Sequence, residues 1–117
     1  MAAFNTANDT KDQTAAGGCS YATTCQYGAI TPTTPNSLIV SVTTNVTGNA
    51  TTPNMAWTEG FLSGRPFFGR GGTGSVEGNL NFAYRLQADT AASNPRWRFR
   101  SNGDVSRGVN VNFRDDQ

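Results

Sequence analysis

Histidine is absent from this chain of 117 residues. With it go the Ser-His-Asp and Cys-His arrangements that activate nucleophiles, the commonest general base near neutral pH and the commonest metal ligand. Lysine occurs once, as Lys11, so the residues that usually fill exposed helix positions are scarce. No apolar run approaches the ~20 residues that a membrane-spanning helix needs. The opening "MAAFNTANDTKD" lacks a basic segment followed by an apolar stretch, so it is not read as a Sec signal peptide. Export by another route, release by lysis, or a preceding segment would each fit. Charge is sparse as well. Only 15% of residues are charged and the net charge is +1, which argues against strong non-specific binding to nucleic acid or to an anionic membrane.

Cysteine is limited to Cys19 and Cys25, in "GGCSYATTCQ". A disulfide between them would staple a small loop and contribute about 2–3 kcal/mol. A pair of free thiols fits the spacing equally well. A metal site would lack its other ligands in a chain without histidine. No cofactor is expected.

The size predicts one domain, and a chain this long can bury roughly 65% of its unfolded surface. Its 36% hydrophobic content, with many Thr, Asn, Gly and Ser, is typical of extracellular or virion β-proteins. Residues 1–27 are polar and without period, and read as an extended arm with Phe4 and Tyr21 as anchors. Residues 28–117 read as the folded domain.

Within that domain, period two recurs. In "SLIVSVTT", Leu38, Val40 and Val42 share one face and Ile39 and Ser41 the other. In "SVEGNLNFAYRLQA", Leu80, Phe82, Tyr84 and Leu86 alternate with Asn79, Asn81, Ala83 and Arg85. In "GVNVNF", Val109, Val111 and Phe113 alternate with Asn110 and Asn112. The apolar member of each pair is expected inside. "MAWTEGFL" (55–62) suggests a strand, while 45–54 and the glycine-rich 63–75 read as loops. "SNGD" (101–104) is a hairpin turn signal. Short alternating strands between Gly/Pro/Asn turns, with no helical period, predict an all-β antiparallel β-sandwich, jelly-roll-like, with a polar N-terminal arm.

"NPRWRFR" places Arg96, Arg98 and Arg100 on one face of a strand and Trp97 and Phe99 on the other. The aromatics are expected in the core and the arginines outside. Threonine would suit an exposed strand face better, so an arginine row suggests a surface that meets carboxylates or phosphates. An oligonucleotide-binding barrel would stack bases on aromatics beside its cations. Here the two classes lie on opposite faces, so a nucleic-acid partner is not expected. "GRGGTGS" lacks the Gly-Lys-[Ser/Thr] ending of a phosphate loop. Glu59 and Glu77 could in principle form a glycosidase pair, but an acid solvated at a strand end is the simpler reading of each.

"GAITPTTPNSL" (28–38) and "AYRLQADTAASNPRWRF" (83–99) together resemble the C-terminal portion of β-sandwich modules found in phage virion and tail proteins and in some bacterial surface proteins. The matching positions include Pro32, Leu38, Tyr84, Gln87, Asn94, Pro95 and Trp97. The resemblance implies framework rather than a catalytic site, and the three arginines depart from it. It implies a non-enzymatic structural virion protein, most simply a capsid decoration (cement) protein or a small fibre subunit. Its expected partners are neighbouring capsid or tail subunits and copies of itself in a closed oligomer, a trimer among the options, at a virion surface or outside the cell. The alternative is a glycan-binding module, a phage receptor-binding tip or carbohydrate-binding domain. In that reading Trp57, Phe67 and Phe68 supply an aromatic platform, and Arg96, Arg98 and Arg100 meet acidic sugars.

Overall fold

The computed structural model describes residues 11–20, 23–47, 55–56, 59–64, 67–70, 77–99 and 105–114. All regular structure among them is β. The strands are β1 (Lys11–Ser20), β2 (Thr24–Cys25), β3 (Ser37–Thr47), β4 (Met55–Ala56), β5 (Leu62–Ser63), β6 (Phe67–Arg70), β7 (Glu77–Gln87), β8 (Trp97–Arg98) and β9 (Val105–Phe113).

Strand β3 is the axis of the fold. Seven of its 11 residues are β-branched, which stiffens the side chains and suits a pleated surface. It pairs antiparallel with β7 on one side and β9 on the other. β1 adds beyond β9, and β5 and β6 line the outer edge of β7. A second, three-stranded sheet, β2-β8-β4, lies over one face. The protein is thus an all-β antiparallel sandwich of unequal layers, one long and one made of two-residue strands.

The alternation of the long strands is present, but its phase is inverted. Ser37, Ile39, Ser41 and Thr43 of β3 are fully buried, whereas Leu38, Val40 and Val42 are only half-buried. On β9, Asn110 and Asn112 are buried, and Val109, Val111 and Phe113 are half-buried. On β7, Asn81, Ala83 and Gln87 are buried, Phe82 is half-buried, and Leu80, Tyr84 and Leu86 are exposed. The expected core of Leu38, Val40, Val42, Leu80, Phe82, Tyr84, Val109, Val111 and Phe113 is therefore the opposite face of the sheet. The reason lies in what covers the sheet. The small layer brings Cys25, Tyr27, Ile30, Phe61, Trp97 and Phe99 down onto Ile39 and Ala83, and it brings polar partners for the Ser/Thr/Asn floor.

Those partners make polar burial tolerable, since a buried polar group costs little only when hydrogen-bonded. Trp97 donates from its indole N–H to Ser41 Oγ at 2.7 Å, and Ser41 donates to Asn110 Oδ1 at 2.6 Å. Asn110 then donates through Nδ2 to the Gly28 carbonyl at 2.8 Å. Tyr27 and Thr43 share a hydroxyl–hydroxyl bond. Asn112 accepts the Gln13 N–H at 2.9 Å and donates to Asp12 Oδ2 at 3.0 Å. Tyr27 lies flat on the sheet because Gly108 has no side chain. A Cβ there would stand 2.2 Å from the Tyr27 ring.

Several boundaries differ from the sequence reading. The sheet begins at Lys11 instead of residue 28, since β1 and β2 fall within the expected arm. Gly17 is small enough to lie beneath Tyr27, whose carbonyl oxygen would be 2.9 Å from a Cβ on Gly17, and Ala15 lies against Gly28. Residues 1–10, where the arm's remainder falls, lie outside the described residues, as do 48–54 and residues 101–104, where a turn is expected. The expected strand over 55–62 is two short strands separated by a turn in which Glu59 and Gly60 both take positive φ. The expected loop over 63–75 contains β6, because edge pairing uses backbone groups and asks little of side chains.

Candidate functional site

Two surfaces hold the residues that the sequence singles out. The first lies on the outer side of the small sheet. Trp97 and Phe99 point inward and are buried, so Arg96 and Arg98 emerge on the solvent side. Arg96 reaches Gln26 Oε1 at 3.5 Å. Gln26 is itself anchored to the Asn94 carbonyl at 2.8 Å. Arg96, Gln26 and Thr24 line an open groove of about 370 Å³ together with Cys19 and Cys25. Arg100 and Trp57 lie outside the described residues. Phe67 and Phe68 are on β6, paired with Leu80 and Asn79 of β7.

Cys19 and Cys25 are joined as a disulfide with their Cα atoms 6.0 Å apart. The bond links the edge strand of the large sheet to β2 of the small one, directly beside Trp97, the partner of Cys25 across the β2–β8 ladder. It holds the arginine-bearing layer on its floor.

Glu59 serves the same layer. Its carboxylate accepts from Ser93 Oγ at 2.6 Å and from the Asn94 backbone N–H at 3.1 Å and 3.2 Å, clamping the 59–60 turn to the loop before β8. Arg85 bonds to the Glu59 carbonyl and its guanidinium carbon stands 5.5 Å from the centre of the Phe61 ring. Glu77 is at the far end of β7, eight positions from Arg85, about 26 Å of strand. Hydrolytic carboxylate pairs stand ~5–9.5 Å apart, so these two positions are not such a pair. No cluster of three or more His, Cys, Asp and Glu suited to a metal occurs among the described residues.

The second surface is the outward face of the large sheet, and it is apolar. Register places its side chains in cross-strand rows. Phe113, Leu38 and Leu86 form one row. Val111, Val40, Tyr84 and Leu62 form the next, and Val109, Val42 and Phe82 a third. Arg107, Thr44 and Leu80 close the pattern. Leu62 is 60% and Leu86 69% exposed, and Leu80, Tyr84 and Val105 are exposed as well. Next to them β1 contributes only small side chains, Thr14, Ala16 and Ser20, and Gly18, over which Arg107 lies. Phe82 is accommodated at the other edge by Gly64, where a Cβ would meet the ring at 2.1 Å. Sequence reasoning found the apolar side chains from Leu38 to Val42, Leu80 to Leu86 and Val109 to Phe113 in these rows, but as a core. The amphipathic period identifies a pair of faces and does not say which of them the same chain covers.

No protein-family model, curated protein or solved structure matches the chain.

Proposed function

We propose that this chain is a non-enzymatic structural protein of a virion surface, a capsid decoration (cement) protein or small fibre subunit, that works through protein–protein contacts. The observation that carries this reading is the outward apolar face of the large sheet. Isolated soluble domains seldom expose a contiguous apolar patch beyond a few hundred Å². Here the rows of Val, Leu, Phe and Tyr run across β9, β3, β7 and β5, while the polar face of the same strands is enclosed. A sheet arranged in this way is suited to assembly. The virion setting rests on the resemblance of residues 28–38 and 83–99 to β-sandwich modules of phage virion and tail proteins.

The test is physical association. Particles purified by density gradient from the source of the sequence should contain the chain in stoichiometric amount by mass spectrometry. Recombinant chain should co-sediment with particles stripped of it. The alternative, a glycan-binding module using the arginine-lined groove, expects saturable binding of acidic oligosaccharides on a glycan array and no fixed stoichiometry in particles.

A further inference from the structure

We infer that the apolar face of β9-β3-β7 is covered by the same face of another copy of this chain. The inference deepens the assembly reading and rests on it.

The shape comes first. Two sheets pack face to face when both are long, similarly twisted and apolar, with side chains interdigitating about 10 Å apart. Among the described residues the large sheet has its small partner layer only on the polar side. A matching second sheet must have equal length and twist, and another copy supplies one by construction. A two-fold arrangement then brings identical faces together and closes the assembly.

Size is the second ground. β3 pairs with both neighbours from Leu38 to Val46, about 26 Å of strand, and four inter-strand spacings from β1 to β5 give roughly 19 Å of width. Each face is therefore about 500 Å² in projection, and two faces cover about 1,000 Å², the size at which specific interfaces begin. The exposed Leu62, Tyr84 and Leu86 lie within that area, at its β5 side.

Charge is the third. Among the described residues the rows from Phe113 to Phe82 carry no carboxylate, and Arg107 and Lys11 sit toward opposite ends of β9. Apposing two copies therefore places no like-charged pair at the centre. With a net charge of +1 the chains also repel one another little at long range. A partner recognised by charge would want a complementary row, and the arginines that could offer one, Arg96 and Arg98, are on the small sheet instead.

The test uses the full oxidised chain and light scattering after size exclusion. The expected native mass is twice the 12.4 kDa of one chain. The double variant Tyr84→Lys/Leu86→Lys, at side chains already exposed in one copy, should fall to one chain mass while keeping the strand circular dichroism and the wild-type tryptophan emission. Val42→Lys, at the centre of the face, should do the same. Thr31→Lys, exposed and off this face, should leave the mass unchanged. A wild-type chain that stays at 12.4 kDa at high micromolar concentration overturns self-packing. So does an oligomer that survives Tyr84→Lys/Leu86→Lys and Val42→Lys, since another surface then holds it. If single chains still attach to stripped particles and Tyr84→Lys/Leu86→Lys abolishes attachment, self-packing fails while the assembly reading stands. If single chains attach to nothing, both fall.

Discussion

Trp97 of the small sheet donates its indole N–H to the hydroxyl of Ser41 at the centre of the large one, and the Ser41 hydroxyl donates to Asn110 Oδ1 on the next strand. All three are fully buried. The serine is thus both acceptor and donor between the layers, and it fixes where the indole sits.

Replacing Ser41 by Val should therefore destabilise, although valine is the better strand residue. It leaves the Trp97 N–H and the Asn110 oxygen without this partner in a dry interior, at about 1–3 kcal/mol each. We expect a total loss of roughly 2–6 kcal/mol in urea unfolding followed by tryptophan fluorescence. A stabilised or unchanged Ser41→Val protein contradicts this role.

Gly108 makes room for Tyr27, with the ring occupying the space of a Cβ. Gly108→Val should displace Tyr27, break its bond to Thr43 and cost at least about 3 kcal/mol, as overpacking and a lost buried hydrogen bond combine. Gly108→Ala should cost less, and the pair of variants should rank in that order by thermal melting.

The legible part of the fold was its periodicity. Leu38 to Val42, Leu80 to Leu86 and Val109 to Phe113 announce three strands, and all three are present in antiparallel pairs. The inward Trp97 and Phe99 were legible for the same reason. Sequence patterning could not show that Asn110, Asn112 and Ser41 face the small layer. Their burial depends on partners far away in the chain, Trp97, Gly28 and Asp12, and no local rule links them. β1 escaped notice because Ala, Gly and Thr form no apolar alternation. It is held by its ladder to β9 and by the disulfide at Cys19.

That disulfide makes the next prediction. Cys19 and Cys25 close a small loop between the two layers, and its removal should cost about 2–3 kcal/mol. Cys19→Ser/Cys25→Ser should melt about 10 °C lower than the oxidised protein. The native chain should weigh about 2 Da less than the reduced one, because forming the bond removes two hydrogens. Equal melting of the oxidised protein and the double variant would show that the ladder to β9 alone holds β1.

Asp12 supplies a pH-dependent prediction. Its partial burial raises the carboxyl pKa, but hydrogen bonds from the Thr33 backbone, Asn112, Thr33 and Gln13 outweigh this and leave it below the ordinary 3.8. The carboxylate accepts from the Thr33 N–H at 2.7 Å and Thr33 Oγ1 at 2.8 Å, tying β1 to the loop before β3. A depressed folded pKa means that the unfolded chain takes up the proton first as pH falls. The contribution is thus fully present above the unfolded value and is lost as pH drops through the folded one. Asp12→Asn should therefore melt below wild type at pH 7, and the gap should close as pH falls below about 4. A gap that is constant across this range would remove the ionised carboxylate from the account.

The outward arginines provide the last test, which separates stability from attachment. Arg96 and Arg98 flank the buried Trp97, and the alternation sets their side chains on the face away from the floor. Exposed ion pairs contribute only about 0–1 kcal/mol, so these groups should add little to folding. At a desolvated interface, bidentate contacts to carboxylates give orientation and specificity. Replacing Arg96, Arg98 and Arg100 by Thr should therefore leave the melting temperature within about 2–4 °C of wild type. It should weaken co-sedimentation with stripped particles, by a larger factor at low salt, where the original pairs are strongest. The oligomer held by the opposite face should keep its mass, since the row lies across the small layer from it. A large fall in melting temperature with attachment intact would make the row part of the fold. Salt-sensitive binding of polyanionic glycans by the unmodified chain, lost in the triple variant, would transfer the arginines to the glycan-binding reading.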